Sequence, residues 1–229
     1  MATSDGPNIS SNGLVLCLDA ADRNSYSGSG NTWYDMNSNS YNATLISTNF
    51  DSNYGGGIDF DGISGRGYVP SPVSSTDDQT YEVWTNCIAS AGAAGGYAYI
   101  LHNNPTDTSI GNSYFVVGIK PTQQYFAAFN GAYATMSSNI TATNSTIRQI
   151  VLSWDGSSQY LYVNGELKDS EALPSIAKSF DTNIGIGSED DSVYRLIDGS
   201  IYTIRAYNRA LSAAEILHNF NATRKRYNV

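Results

Sequence analysis

The apolar residues of this sequence come in short bursts, and no long periodic apolar stretch occurs before the last twenty residues. Ten bursts of three to eight residues are candidate strands: 14–18, 58–60, 80–87, 97–101, 113–119, 125–129, 148–154, 160–164, 183–186 and 200–207. Between them stand clusters of Gly, Asn, Asp, Ser and Pro, residues that turn the chain for definite steric reasons. Asp155-Gly156 separates QIVLSW from YLYVNG, and Asn164-Gly165 follows directly, which predicts a strand-turn-strand-turn unit over 148–167. Asp61-Gly62 and Asp198-Gly199 punctuate the chain in the same way. Many short strands with few helical windows predict an all-β sandwich or barrel.

Within 160–163, alternation turns Leu161 and Val163 to a core and leaves Tyr160 and Tyr162 facing outward or a second layer. In the last strand Ile201, Thr203, Arg205 and Tyr207 fall on one face of a regular strand, and Tyr202, Ile204 and Ala206 on the other. Neither face is purely polar, so this strand is expected to be buried on both sides. One helix is well marked. Ser212 and Glu215 form a capping box, with Leu211 and Ile216 at the positions of a hydrophobic staple. Ile216, Leu217 and Phe220 are its expected packing residues, and Arg224-Lys225-Arg226 suits the negative end of its dipole.

Length and charge bound the rest. At 229 residues the chain is expected to form one domain over 13–229, preceded by a polar arm over 1–12. Charged residues are 14% of the chain, against about 25% in average domains, so the surface is polar but largely neutral. The net charge of −9 speaks against a nucleic-acid partner. It is uneven: from Arg205 to Val229 there are five basic residues and one acid, a handle of +4 for an acidic partner. No apolar run approaches the ~20 residues of a membrane span. The opening MATSDGPNISSNG has neither a basic nor an apolar leader region, which predicts synthesis in the cytoplasm without a secretory leader. In that compartment Cys17 and Cys87 are expected to be buried free thiols.

Four strings, in order along the chain, resemble one family. GLVLCLDAADRNSYSGSGNTWYDMNSNSYNATL (13–45) is similar to the opening of laminin-G-like, concanavalin A-like domains of tailed bacteriophages and bacteria, through Leu18-Asp19-Ala20, Trp33, Asp35, Asn39 and Thr44-Leu45. Ser38, Ser40 and Ala43 stand where that pattern carries glycines. IDFDG (58–62), SWDG with YVNGEL (153–167), and IGIGSED running to DGSIYTIRAYNRALSAAEI (184–216) resemble it too. The resemblance implies a jelly-roll sandwich of two antiparallel sheets with a short C-terminal helix. That fold carries lectins, glycosidases, adhesins and structural modules alike.

Related glucanases carry Glu-x-Asp-x-x-Glu on one strand; here Glu166, Asp169 and Glu171 have the spacing Glu-x-x-Asp-x-Glu, which splits Glu166 from Asp169 on a regular strand. His102 beside a turn, His218 in the helix, and thiols without a cationic neighbour offer no nucleophile–base set. No catalytic residue is assigned, and the chain reads as non-enzymatic. For calcium, which such folds hold at a rim through loop oxygens, the acidic clusters are Glu189-Asp190-Asp191 with Asp198, Asp77-Asp78, and Asp59 with Asp61; none shows a ligand-spacing motif. For sugars, Trp33-Tyr34, Tyr97 with Tyr99, and Tyr125 with Tyr133 are the candidate aromatic platforms. The leading expectation is a multi-copy virion structural protein, a capsid decoration protein docked on the major capsid shell. The alternative is a glycan-binding adhesin module of a tail fibre or host-surface protein, with or without calcium.

Overall fold

The computed structural model describes residues 8–37, 40–73, 78–103, 115–129, 136–174, 182–189 and 193–229. Among them the chain forms β1 (Leu14–Asp19), β2 (Thr32–Trp33), β3 (Ala43–Ile46), β4 (Asn49–Asp51), β5 (Gly57–Asp61), β6 (Arg66–Pro70), β7 (Gln79–Thr85), β8 (Ile88–Ala89) and β9 (Ala98–Asn103). There follow β10 (Phe115–Ile119), β11 (Gln124–Phe129), β12 (Met136–Thr141), β13 (Arg148–Trp154), β14 (Ser158–Val163), β15 (Glu166–Ala172), β16 (Asn183–Ile186) and β17 (Ile197–Tyr207). Helix α1 (Ala213–Thr223) and a 3-10 turn over Arg224–Tyr227 end the described chain.

Two sheets result. One runs β15-β14-β13-β7-β17-β5-β4, with β1 and β8 also on β17; the other runs β12-β11-β10-β9-β16-β6-β3-β2. Neighbours are antiparallel throughout. This is the jelly-roll sandwich that the resemblance implies. Between the sheets lies the core: Leu16, Leu18, Trp33, Phe60, Val83, Phe115, Phe129, Ile150, Leu152, Leu161 and Ile204 are all buried there. The Tyr81 and Phe115 rings stack across it with centroids 4.0 Å apart. Burying one such side chain contributes about 1.5–3 kcal/mol.

The strand-turn-strand-turn unit stands as read. Asn164 and Gly165 both have positive φ (53° and 77°), the backbone of a tight turn joining β14 to β15. Leu161 and Val163 enter the core. Tyr162 lies on the other face, under Leu211 and Ile216.

The last strand differs from its regular-strand reading. The register of β17 against β7 shifts between Ile201 and Thr203, so Tyr202 is an extra residue. Ile201 therefore joins Ile204 and Ala206 in the core, while Tyr202, Thr203, Arg205 and Tyr207 face away from it. Those outward residues are still buried, because α1 and the 3-10 turn form a third layer over them. Trp84 stacks on Phe220 and on Tyr227, with centroids 5.8 and 4.3 Å away. The capping box at Ser212 and Glu215 is formed, and it fixes where this layer starts.

Residues 8–12 of the polar arm follow α1. The Ser10 amide donates to Asn219 Oδ1 (2.8 Å), His218 Nε2 to the Asn8 carbonyl (2.6 Å) and Arg209 Nε to the Asn12 carbonyl (2.9 Å). Residues 1–7 of that arm lie outside the described residues.

Candidate functional site

A surface cleft of about 550 Å³ opens between the outer face of the β13–β14 hairpin and the start of α1. Ser153, Asp155, Tyr160 and Tyr162 line it on one side, and Arg209, Leu211, Ser212 and Glu215 on the other. Asp155 belongs to the turn that closes the hairpin. Its Oδ1 accepts the Ser157 amide (3.0 Å), the Ser157 hydroxyl (2.8 Å) and the Ser158 amide (2.8 Å). Its Oδ2 accepts the Tyr160 hydroxyl (2.8 Å), which fixes the half-buried ring at the cleft wall. Burial acts to raise the Asp155 carboxyl, but these donors outweigh it and hold it down at about 2.

The opposite wall is as firmly set. Arg209 meets Glu215 through both terminal guanidinium nitrogens, Nη2 at 2.6 Å and Nη1 at 3.0 Å. Glu215 Oε2 also accepts the amide (2.9 Å) and hydroxyl (2.8 Å) of Ser212. The Arg209 bond first, and then the Ser212 amide, pull the Glu215 carboxyl down to about 2. Beneath them the Thr80 hydroxyl donates to the Arg209 carbonyl (3.0 Å) and accepts the Leu211 amide (2.9 Å). The cleft thus presents an aromatic ring, two ionised carboxylates and a guanidinium, each locked by its neighbours. Both carboxyls are held ionised by these donors, so the arrangement can accept hydrogen bonds from a ligand.

The sequence candidates fall elsewhere. A bulge at Lys168 on β15 puts Glu166, Asp169 and Glu171 opposite Val163, Leu161 and Gln159, on one face rather than two. They nonetheless sit on an edge strand and are engaged. Glu166 pairs with Lys168 at 2.6 Å, which lowers its carboxyl. Asp169 Oδ2 accepts the Ser137 amide (2.9 Å), and Glu171 Oε2 accepts Gln159 Nε2 (3.0 Å). His102 is buried with its ring on Tyr99, 4.6 Å between centroids. Both cysteines are free thiols, Cys87 buried as expected and Cys17 only half-buried; desolvation raises both, Cys17 despite nearby Arg205.

Asp61 is pulled well below the carboxylate range because the amides of Ser64, Gly65 and Ile63 outweigh its burial; these bonds saturate Oδ1 inside its own turn. Glu189 pairs with Arg195 at 2.9 Å, while Asp77, Asp190 and Asp191 lie outside the described residues. Among the described residues no three His, Cys, Asp or Glu side chains are grouped to hold a metal ion. Nor is any described helix long and apolar enough to cross a membrane.

Of the aromatic platforms, Trp33, Tyr99 and Tyr125 are buried, Tyr97 is half-buried and Tyr34 is exposed; Tyr133 lies outside the described residues. The basic handle is largely spent inside the molecule. Arg205 is buried against Glu82, Arg209 holds Glu215, and Arg226 holds Asp19 at 2.7 Å. Of the five cations, Arg224 and Lys225 have no ion pair among the described residues. The cleft residues Asp155, Tyr160, Arg209, Ser212 and Glu215 do have local signals in the sequence, the SWDG turn and the NRALSAAE cap. Read singly, those signals say turn and helix start.

Two curved antiparallel sheets under a C-terminal helix define a lectin-type sandwich. The chain belongs to the concanavalin A-like lectin/glucanases superfamily, whose family pattern matches residues 61–217. No curated protein matches the sequence. Solved structures share the fold. The binding domain of Paraclostridial Mosquitocidal Protein 1 superposes with a TM-score of 0.68 at 14% identity, over 92% of this chain and 52% of that one. Trypanosoma rangeli sialidase gives 0.67 at 15%, over 95% and 34%. The receptor binding domain of botulinum neurotoxin C/D mosaic serotype gives 0.63 at 13%, over 91% and 51%. The chain therefore spans about half or a third of the length of these structures.

Proposed function

We propose that this protein is a non-catalytic recognition module of lectin type, and that the Tyr160 cleft binds a neutral, hydroxyl-rich glycan. The observation that carries this reading is the pre-set polar lining around the half-buried Tyr160 ring. A pyranose presents an apolar face to the ring and hydroxyls to fixed acceptors and donors. Asp155 Oδ2 takes one donor and keeps a lone pair for a ligand hydroxyl. The two carboxylates against one guanidinium leave the lining negative, which disfavours sialylated or uronic sugars. Family membership and the neighbours named as binding or receptor-binding domains support recognition as the role.

The test is a glycan array with the purified protein. Neutral glycans should be retained, and Tyr160→Ala should abolish retention while leaving thermal unfolding within a few degrees. Retention that survives Tyr160→Ala would remove the cleft from the reading. On this reading the Tyr160 ring and its fixed polar neighbours carry the binding, so a chelator should leave it intact; loss in chelator would favour a calcium-dependent adhesin instead.

A second reading is the capsid decoration protein. The similarity of the Leu18-Asp19-Ala20 opening and the Tyr207–Ser212 ending to tailed-phage domains favours a virion setting. Copy number separates the two locations: hundreds per particle place the protein on the major capsid shell, and about a dozen place it on the tail.

A further inference from the structure

The three most exposed large apolar side chains of the described residues sit at one end of the sandwich: Ile63 (76%), Tyr194 (63%) and Val193 (56%). Ile63 and Val193 are opposite lips of a second cleft, about 490 Å³, whose lining includes Ser90, Gly92, Leu196 and Asp198. Both lips are held firmly. Ile63 rides on the turn that Asp61 ties down through the amides of residues 63, 64 and 65, at 2.9, 2.7 and 2.8 Å. The other lip is anchored by Arg195, which donates to Glu189 (2.9 Å) and lies 5.0 Å over the Tyr99 ring. A bond from the Ser90 amide to the Leu196 carbonyl (3.2 Å) joins it to the floor. Ile63 and Val193 thus hold apolar surface out to water at the mouth of one cleft, where a partner's apolar group would cover it.

Two groups at this cleft lack partners. The Ser90 hydroxyl is buried, its residue 8% exposed, and makes no hydrogen bond among the described residues. The Asp198 carboxylate is exposed and likewise unpaired among them. The surroundings are acidic: Asp198 stands across from Asp61 in the ladder, and Asp59 lies across from Ser200 on the same face. Burial, then Asp51, Asp198 and Asp61 together, raise the Asp59 carboxyl. The nearby cations are engaged, Arg195 with Glu189 and Arg66 with the Ser64 carbonyl.

We propose that this cleft is a protein-docking site that takes a lysine or arginine side chain of a partner protein. The aliphatic stem lies between Ile63 and Val193, and the cation meets Asp198 with the Ser90 hydroxyl beside it. Charge complementarity selects the cation, and the apolar lips select a long stem over a bare ion. This site is separate from the Tyr160 cleft and stands whether or not that cleft binds glycans.

The test is an NMR titration of the isotope-labelled full chain with the peptide Ac-Val-Lys-Val-NH2 and its uncharged norleucine counterpart. The lysine peptide should shift the amides of Ile63, Ser90 and Asp198, and its affinity should fall at least tenfold in Asp198→Asn and in Ile63→Ser. Both substitutions are at exposed side chains, and thermal unfolding checks that each variant folds. Equal shifts from the norleucine peptide, or none from either at millimolar concentration, overturn the assignment. So do shifts reproduced by calcium chloride alone, which would make it a metal site. Concentration-dependent self-association in sedimentation, abolished by Ile63→Ser, would make the occupant a second copy and overturn the assignment too.

Discussion

At the scale of single residues, the most demanding choice in this sequence is Arg205. Its guanidinium lies 2.5 Å from Glu82, with both side chains almost wholly buried, at 2% and 1% exposed. Burial alone would lower the arginine, but Glu82 outweighs it and the ion pair stands. Asn219 completes the set, donating to Glu82 Oε2 at 2.9 Å and to the Tyr207 hydroxyl at 3.0 Å. A buried pair is strongly destabilised when one partner goes, because a lone charge is left out of water. Arg205→Met should therefore cost about 3–5 kcal/mol in urea unfolding. Glu82→Leu in the same chain should recover most of that loss, and failure to recover it would mean that Arg205 acts through packing alone. Asp59 poses the opposite case. Its carboxyl is raised in the folded state, so it binds its proton more tightly there than in the unfolded chain, and its penalty is present at neutral pH and vanishes as pH falls below the unfolded value near 4. Asp59→Asn should raise the melting temperature at pH 7 and have no such effect at pH 3. An increment equal at both pH values would rule out the electrostatic cause.

At the scale of elements, the third layer decides how the outer face of the larger sheet is used. Tyr227 is buried over Trp84 and its hydroxyl meets Thr203 Oγ1 at 3.0 Å, so one residue of the final turn closes the aromatic cluster. Tyr227→Ala should cost about 3 kcal/mol by the usual scale of large-to-small core changes. It should also expose Trp84 to water, seen as a red shift of tryptophan emission; an unchanged spectrum would place the closing role elsewhere. This helix was legible from the sequence because a capping box is local. Strand β13 was legible because its apolar run is continuous, and β16 because its two isoleucines stand between turn-forming residues. Strand β12 (MSSNIT) and strand β15 (ELKDSEA) were not, since each lies at a sheet edge and shows solvent a mixed face. The bulges at Tyr202 and Lys168 were illegible for a different reason: a bulge is a property of two paired strands, and the partner's register is not written in the bulged strand. The Tyr160 cleft was half legible. Asp155 and Glu215 were each read correctly as turn and cap, but nothing local says that the two ends meet.

At the scale of the whole molecule, the distribution of charge sorts the surfaces. The exposed edge strand β15 carries Glu166, Lys168, Asp169 and Glu171, a pattern that blocks pairing with another strand edge. The two proposed recognition surfaces, the partly apolar docking end and the Tyr160 cleft, differ in how they should answer salt. At the docking end the attraction is between an exposed cation and the unpaired Asp198, with Asp59 and Asp61 nearby, and such attractions are screened over about 8 Å at physiological ionic strength. At the Tyr160 cleft, ring stacking and hydrogen bonds to a neutral sugar carry no net ligand charge to screen. Raising sodium chloride from about 0.05 to about 0.5 M, which shortens the screening length several-fold, should therefore weaken lysine-peptide binding several-fold. Glycan binding over the same range should change by less than about twofold. Titrations of both ligands on one protein sample would separate the sites directly. If both affinities fell together, the glycan cleft would have to be recognising a charged sugar, and its assignment to neutral glycans would fail while the docking site stood.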